Sequence, residues 1–591
     1  MNRLLRAALL VAVAALIPVA LAAATPPGSD TKVTVGSPPL PFSQNKQNEP
    51  AVAVNPIDPS IVAAGVNEER DDEACNNRDD TTCPFTPGVG TSGVYFSDDS
   101  GSDWMQPTYT GWTARDCLGV PGTDPGNPAD NCDPHVGPIE TLPRYYENGL
   151  ISDGDPAVGF GPQPDSHGHF SWSNGWRLYY ANITSNFSGG AFNGFEAAAV
   201  SRLDSQNYAA AKTGDNNAWK APVIASRQNS TLFSDHEMVS VDDASLSPFF
   251  GNVYVCNAAF RSQEKGGFPE PIVLNSSSDG GNTWRTTQVS QAVDNAHNGG
   301  RQDCAVNTDS DGTVYVFWDG FDKQANSDAI YMIRSHDGGK HFERPARIVT
   351  HFVTSGLPDP ESGDLTFDGV AGARDGSFPT VDISNGAPTG ADASDEIVLA
   401  WTQGPTPKDT TGGPNERVDV LYSTNGGDSW LSGGLASPAS DRPDFPAIAI
   451  SPNGRDAYLT YMAFQQPWQS TTANPRTFQG VVRHADVDPG SGAIGAWSDL
   501  NRAPTGDARG SSSNSLTDEF LGDYDFAFAT NAFGVAVWND ARNAADCPAI
   551  DAYRQSLVTG PPLPPPAPEQ QCGATFGNTD IYGGSYSDPT P

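Results

Sequence analysis

The chain has 591 residues, with 71 Asp and Glu against 33 Lys and Arg, for a formal net charge of −38. So negative a field repels phosphate backbones and anionic membrane surfaces, which argues against a nucleic-acid partner; export as a soluble protein and binding of a divalent cation are both compatible with it. At about 150 residues per domain, the length implies several domains or one large repeat architecture.

The chain starts with Arg3 and Arg6, an apolar run from Ala7 to Leu21, and the small residues Ala22, Ala23 and Ala24. That is the layout of a secretory signal over residues 1–24, and the run is too short for a comfortable membrane span. No later segment is apolar enough to cross a bilayer, so a secreted, extracellular protein is expected. Eight cysteines suit an oxidising compartment. Cys75/Cys83 and Cys117/Cys132 are close pairs in loop-like sequence, and Cys547/Cys572 bracket the Pro-rich stretch 561–568. These read as loop staples, with the connectivity open. No Cys and His spacing reads as a zinc site, and no metal or cofactor is assigned.

Gly (61) and Pro (50) are abundant and no long segment has helical periodicity, so the chain reads as all-β. Residues 25–45 form an N-terminal segment in which Thr31 to Val35 is a candidate strand. From 46 to 558 two elements repeat. The first is a lead residue followed by alternating small and apolar residues: Glu49 to Val54, Asp155 to Phe160, His236 to Val241, Arg301 to Val306, Phe378 to Ile383, Phe445 to Ile450 and Asp523 to Phe528. Small residues suit innermost strands, which converge where there is little room. Each start leads into a second strand: Ile61 to Val66, Arg177 to Asn182, Val253 to Cys256, Val314 to Trp318, Ile397 to Trp401, Ala457 to Tyr461 and Val535 to Trp538. An insertion, 106–151, follows the first unit. In the last unit, within 559–591, Ile581 to Tyr586 supplies a third strand and Thr31 to Val35 a fourth, closing the ring without an open edge.

The second element is an octad between strands three and four: Ser97 to Trp104, Ser277 to Trp284, Ser335 to Phe342 and Ser423 to Trp430, with decayed copies ending at Trp219 and Trp497. Its pattern is Ser-x-Asp-x-Gly-x-x-aromatic, with Asn425 replacing Asp in the fourth copy. The carboxylate can accept turn amides, Gly permits positive φ, and the aromatic packs back on the sheet. These octads resemble the Asp-boxes (BNR repeats) of the sialidase, or neuraminidase, superfamily over roughly residues 46–545. The resemblance implies a β-propeller with structural turns on the face away from the active site, so Asp99, Asp279 and Asp337 receive no catalytic role. Seven starts imply seven blades, where sialidases have six; the six-bladed sialidase propeller is the alternative.

Function is then expected on the face that carries the lead residues and the ends of the second strands. A sialidase needs an Arg cluster to clamp the substrate carboxylate, a Tyr nucleophile helped by a carboxylate, and an acid for the leaving oxygen. The resemblance offers Arg70, Arg261, Arg301, Arg442 and Arg542 for the clamp, Tyr524 as nucleophile, Glu237 or Glu519 as its partner, and Asp155 or Glu49 as acid. Asp303 and Asp523 would join in substrate binding. The family's Phe/Tyr-Arg-Ile-Pro segment is absent, since Leu142-Pro143-Arg144 is a different motif. The leading expectation is a secreted sialidase-like glycoside hydrolase acting on a terminal acidic sugar of an extracellular glycan or glycoprotein. A non-catalytic propeller that binds glycan or protein, and a polysaccharide lyase or other glycan hydrolase with Tyr524 or His236 as base, are the alternatives.

Overall fold

The computed structural model describes residues 29–75, 85–117, 134–187, 190–261, 269–292, 302–368, 373–405 and 416–590. The chain is nearly all β, and antiparallel meanders succeed one another along it. The first sheet comprises Gln47–Val54, Val62–Glu68 and Ser92–Ser97. The second comprises Ala157–Pro164, Phe170–Asn186, Glu196–Asp204 and Trp219–Ile224, and the third Phe233–Val241, Val253–Phe260, Ile272–Ser277 and Arg285–Gln288. One parallel pair, Glu196 opposite Phe233, joins these two at their edge. The fourth sheet runs from Gln302–Thr308 through Val314–Asp322 and Ser327–Ser335 to Arg347–Phe352. The fifth holds Thr380–Ile383, Ile397–Gln403, Arg417–Ser423 and Leu431–Leu435, and the sixth Arg442–Ile450, Asp456–Phe464, Thr477–Asp486 and Ser498–Arg502.

The seventh sheet is assembled from both ends of the sequence. Phe526–Ala529, Phe533–Asp540 and Asp580–Ser587 are followed in space by Thr31–Lys32, with Thr31 opposite Gly583 and Lys32 opposite Tyr582. The amide of Val33 continues the ladder to the Ile581 carbonyl at 2.9 Å. The first strand of each sheet touches the first strand of the next, and Phe526–Ala529 returns to Gln47–Val54.

Close approach of the first strands follows from side-chain size. Ala51, Ala53, Ala305, Ala447, Ala449, Ala527 and Ala529 are all buried there, while Tyr180, Trp318, Trp401, Tyr458 and Trp538 of the second strands fill the wider space further out. Apolar residues of one sheet pack on those of the next, as when Phe96 and Val94 meet Phe160, Leu178 and Tyr180.

All four octads form the same turn. In the first, Asp99 Oδ1 accepts from the amides of Ser102 and Asp103 at 3.1 and 2.9 Å, while Ser97 Oγ accepts from the Gly101 amide at 2.8 Å. The same contacts recur around Asp279 and Asp337, and Asn425 reproduces the Ser429 amide contact at 3.0 Å. Ser97 is opposite Val62, at the start of the second strand, so this octad lies at the end of the sheet away from Glu49. We call the lead-residue end upper and the octad end lower.

Disulfides join Cys256 to Cys304 and Cys547 to Cys572, and Cys75 and Cys117 are also disulfide-bonded. Cys83 and Cys132 lie outside the described residues. Cys256–Cys304 staples the third sheet to the first strand of the fourth, across 48 residues, a pairing that close spacing does not suggest. Besides the short helices Tyr208–Lys212 and Pro568–Gln571, the longer helix Pro548–Thr559 departs from the expected absence of helix. Its buried face carries Asp551 and Arg554 beside Ile550 and Tyr553, so it lacks an apolar stripe. Among the described residues no helix is long and apolar enough to cross a membrane.

Candidate functional site

The first strands surround a largely apolar cavity of about 1080 Å³, lined from Asp58 and Asp98 at the lower end to His236, Asp303, Phe378 and Tyr524 at the upper. The upper groups are lead residues, and a repeated backbone device points them inward. Glu49, Asp155, His236, Asp303 and Phe445 all have φ between 47° and 55°. At Glu49, His236, Asp303 and Phe445 the strand register shifts by a bulge. Such a bulge bends the strand and re-aims one side chain. Two of the exposed amides are caught by asparagines at the upper end of the preceding sheet's second strand: Glu49 N donates to Asn539 Oδ1 at 2.8 Å, and Asp155 N to Asn67 Oδ1 at 2.9 Å.

The alignment of the fourth and seventh units differs from the sequence reading. In the fourth, the left-handed residue is Asp303, two positions after Arg301; in the seventh, Tyr524 rather than Asp523 lines the cavity.

Glu49 and Asp155 are hydrogen-bonded through their side chains. Glu49 Oε1 also accepts from the Asp523 amide at 3.1 Å, and its Oε2 from Asn67 Nδ2. Asp155 Oδ2 accepts from the His236 amide at 3.3 Å. The His236 ring lies 3.0 Å from Asp303 through Nδ1, and its centre is 5.1 Å from the Tyr524 ring centre and 6.0 Å from that of Phe378, in edge-to-face arrangement. Phe378 stacks on Phe445 at 5.7 Å. Together these side chains plug the axis at its upper end.

Above the plug, Arg374 reaches Asp523 at 3.1 Å and lies 4.7 Å over the Phe520 ring, with 44% of its side chain exposed. Arg374 carries no sequence signal; it sits in the irregular segment before Thr380–Ile383 and is brought to the mouth by that loop. Among the described residues it is the arginine that faces the carboxyl cluster.

The other candidate arginines are tied down elsewhere. Arg442 is 1% exposed, bonded to Glu416 at 3.1 Å and packed 3.9 Å over Phe367. Arg542 pairs with Asp540 and Asp30, both at 2.7 Å, and stacks on Tyr582. Arg70 approaches Glu140 at 3.9 Å, and Arg261 bonds Gln288 at 2.6 Å on the surface. Arg301 lies outside the described residues. Glu237 is 2% exposed, points toward Asp235, Glu196 and Asp153 between the second and third sheets, and has no hydrogen-bond partner on either carboxylate oxygen among the described residues. Glu519 is buried beside Arg476 and Asp368.

Burial and crowding hold protons in this cluster. Burial, reinforced by Asp523, pushes the Glu49 carboxyl up to about 7, and burial plus Glu49 pushes Asp155 well above the carboxylate range. Burial, with Asp155 and Glu49 nearby, holds the Tyr524 phenol far above its ordinary value. For His236, burial opposes the charge, but Asp303 and Asp235 outweigh it and raise the ring to about 9. A carboxylic acid beside a like neighbour, with a neutral phenol and an imidazolium in contact, forms a site that donates protons near neutral pH.

The same shifts set a pH dependence of stability. For Glu49 and the similarly buried Asp153, Glu196 and Asp382, the folded chain keeps protons that the unfolded chain loses above 3.8 to 4.5, so their stabilising contribution falls as pH rises through about 7 to 8, and Asp155 is shifted in the same direction. His236 adds stability that is full below its unfolded value of 6.5 and is lost as pH climbs through about 9. Both trends have one sign. Thermal melts should give a higher Tm at pH 5.5 than at pH 8.5; a Tm that rises over that interval would contradict these assignments.

No protein-family description matches the chain, and no curated protein does. Several solved structures share parts of its course at low similarity. The Trypanosoma rangeli sialidase in complex with sialic acid is 12% identical, with 85% of this chain and 69% of that one covered and a TM-score of 0.36. The intramolecular trans-sialidase from Ruminococcus gnavus is 13% identical over 74% and 94% of the two chains, with a TM-score of 0.36. The GH93 alpha-L-arabinofuranosidase of Fusarium graminearum is 12% identical over 76% and 96%, with a TM-score of 0.35.

Proposed function

We propose that the upper mouth is the active centre of an exported glycoside hydrolase, carried on a seven-bladed propeller whose Asp-box turns only shape the blades. The blade count is supported by the ring of first strands and by the seventh sheet, closed by Thr31–Lys32. In this reading 1–24 is the export signal, 25–45 brings the closing strand, 46–558 is the propeller with the insertion 106–151, and 559–591 completes the last blade. Disulfides fit an oxidising compartment.

One observation carries the chemistry: Glu49 and Asp155 share a hydrogen bond, with Glu49 releasing its proton only near 7, beside Tyr524. Glycoside cleavage needs an acid for the leaving oxygen and a nucleophile on the other side, and a carboxyl that titrates near neutral pH can give up a proton and regain one. Glu49 donates to the leaving oxygen. Tyr524 attacks the anomeric carbon, and its phenolic proton passes to the Glu49 carboxylate left behind once the leaving oxygen is protonated, while Asp155, still carrying its own proton, hydrogen-bonds Glu49. Arg374, half exposed beside Asp523, holds an anionic substituent, which favours a terminal acidic sugar. Asp303 orients His236, and the imidazolium stabilises negative charge that develops beside it.

A second reading is a glycan-binding propeller without turnover. Its support is that Arg70, Arg442 and Arg542 are engaged in their own ion pairs, which leaves Arg374 as the cation at the mouth among the described residues. A lyase using His236 as base is disfavoured, because a ring raised to about 9 is already protonated at neutral pH.

The test is a panel of fluorogenic glycosides, with sialoside, uronide and neutral sugars, offered to the purified protein and to Tyr524→Phe between pH 5 and 7. Turnover of an acidic glycoside with a loss of about 100-fold or more in the variant is expected. Binding of the same sugars without release of the fluorophore would favour the second reading.

A further inference from the structure

We infer that the lower end of the junction between the sixth and seventh sheets is a divalent-metal site built by Asp456, His484, Asp486 and Asp588. One ligand atom from each of these residues lies within 4.8 Å of all the others. The arrangement follows from strand register. Asp456 is opposite Asp486, and Tyr458 is opposite His484, in neighbouring strands of the sixth sheet. With a side-chain period of two, all four project from the same face. The fourth ligand, Asp588, comes from the segment after Asp580–Ser587 of the seventh sheet, which is anchored by the Asp588 amide on the Ala532 carbonyl at 3.3 Å.

His484 Nε2 lies 3.0 Å from Asp456 Oδ1 and 3.8 Å from Asp588 Oδ1, so one ring nitrogen faces two carboxylates from different sheets. His484 is 2% exposed and Asp456 6%, whereas Asp486 opens to solvent and gives an ion a way in. Thr590 Oγ1 bonds Asp486 and also Asp588 at 3.2 Å, bringing these two carboxylates together.

A separate observation points to a ligand at this place. Tyr458 is 1% exposed and its hydroxyl is buried without a hydrogen-bond partner among the described residues, although Asp456, Asp588 and Asp486 all act on it electrostatically. Its ring is 5.1 Å from that of His484. Gly534 in the seventh sheet makes room for it, since a Cβ there would fall 2.3 Å from the Tyr458 ring. An unsatisfied buried hydroxyl is costly, and a water bound to a metal among the carboxylates would satisfy it.

One imidazole and three carboxylates form a mixed nitrogen and oxygen set, which suits Zn²⁺ or Mn²⁺ better than Ca²⁺ or Mg²⁺, whose ligands are oxygen. Bound there, the ion ties the seventh sheet to the sixth. The site lies at the octad end, apart from the upper mouth.

Calorimetric titration of the chelator-treated full chain with Zn²⁺, Mn²⁺ and Ca²⁺ tests this. One equivalent of Zn²⁺ or Mn²⁺ should bind at least tenfold more tightly than Ca²⁺, with a rise in Tm. His484→Gln should weaken that binding tenfold or more, and so should Asp486→Asn, whose exposed position keeps it foldable if His484→Gln does not fold. Absence of saturable binding, Ca²⁺ binding as tightly as Zn²⁺ and Mn²⁺, or unchanged affinity in Asp486→Asn would overturn the assignment.

Discussion

Glu49→Gln is expected to lower turnover of the best substrate by about 10²- to 10⁴-fold, with substrate affinity changed far less. Glutamine keeps the shape of the side chain but has no acidic proton near neutral pH, so the leaving oxygen would depart unprotonated. The wild-type rate should fall as pH rises through about 7, where Glu49 deprotonates, and this limb should disappear in the variant. Gln can still accept one of the two bonds that Glu49 receives from Asp523 N and Asn67 Nδ2; losing the other costs about 1 kcal/mol of stability. That cost is too small to unfold the chain. Unaltered kcat with an unaltered pH profile would remove Glu49 from the chemistry and shift the acid role to Asp155, for which Asp155→Asn is the matching variant.

Arg476→Ala should destabilise the fold by about 3–5 kcal/mol, the range for removing one partner of a buried ion pair. The side chains of Arg476 and Asp368 are both 0% exposed, and Arg476 Nε meets Asp368 Oδ2 at 2.8 Å. Its guanidinium also donates to the carbonyls of Thr471, Thr472 and Asn474, at 2.7, 3.3 and 3.3 Å, fastening that loop to the segment around Asp368. Arg476 also lowers the cost of keeping Glu519 buried nearby. Truncation removes the ion pair and these carbonyl contacts in a space closed to water. Replacing the pair together, as Arg476→Met with Asp368→Leu, should recover most of the loss, because two apolar groups leave no charge stranded. Urea unfolding measures both; equal midpoints for Arg476→Ala and wild type would contradict this reading of the pair.

Local patterns were the most legible part of the sequence. Octad contacts run from a residue to its neighbour three or four positions on, so Ser97, Asp99 and Gly101 announce their turn without reference to the rest of the chain. First strands were visible through their small residues, and so was the short strand at Thr31 that pairs with Asp580–Ser587. In the fourth unit, by contrast, Gln302, Asp303 and Cys304 are all polar or small, and pattern alone did not locate the bulge at Asp303. The Cys256–Cys304 bridge depends on two sheets being neighbours, which spacing does not encode. Arg374 was missed for a related reason, since a loop residue acquires its position from packing, here against Phe520 and Asp523. Arg442 and Arg542 were conspicuous as charges after or before strands, yet sequence does not say that each would meet its own carboxylate and aromatic ring. The helix Pro548–Thr559 buries charged residues on its inner face and therefore lacks the apolar period that would have marked it.

The most direct check is a crystal structure of Glu49→Gln soaked with the glycoside that the wild-type protein turns over. Sugar density is predicted between Arg374 and Tyr524, with the glycosidic oxygen facing position 49 at the end of the axis away from the octads. Sugar bound instead in the wide apolar cavity near Asp98, or on the octad face, would contradict an active centre built from the inward-turned lead residues.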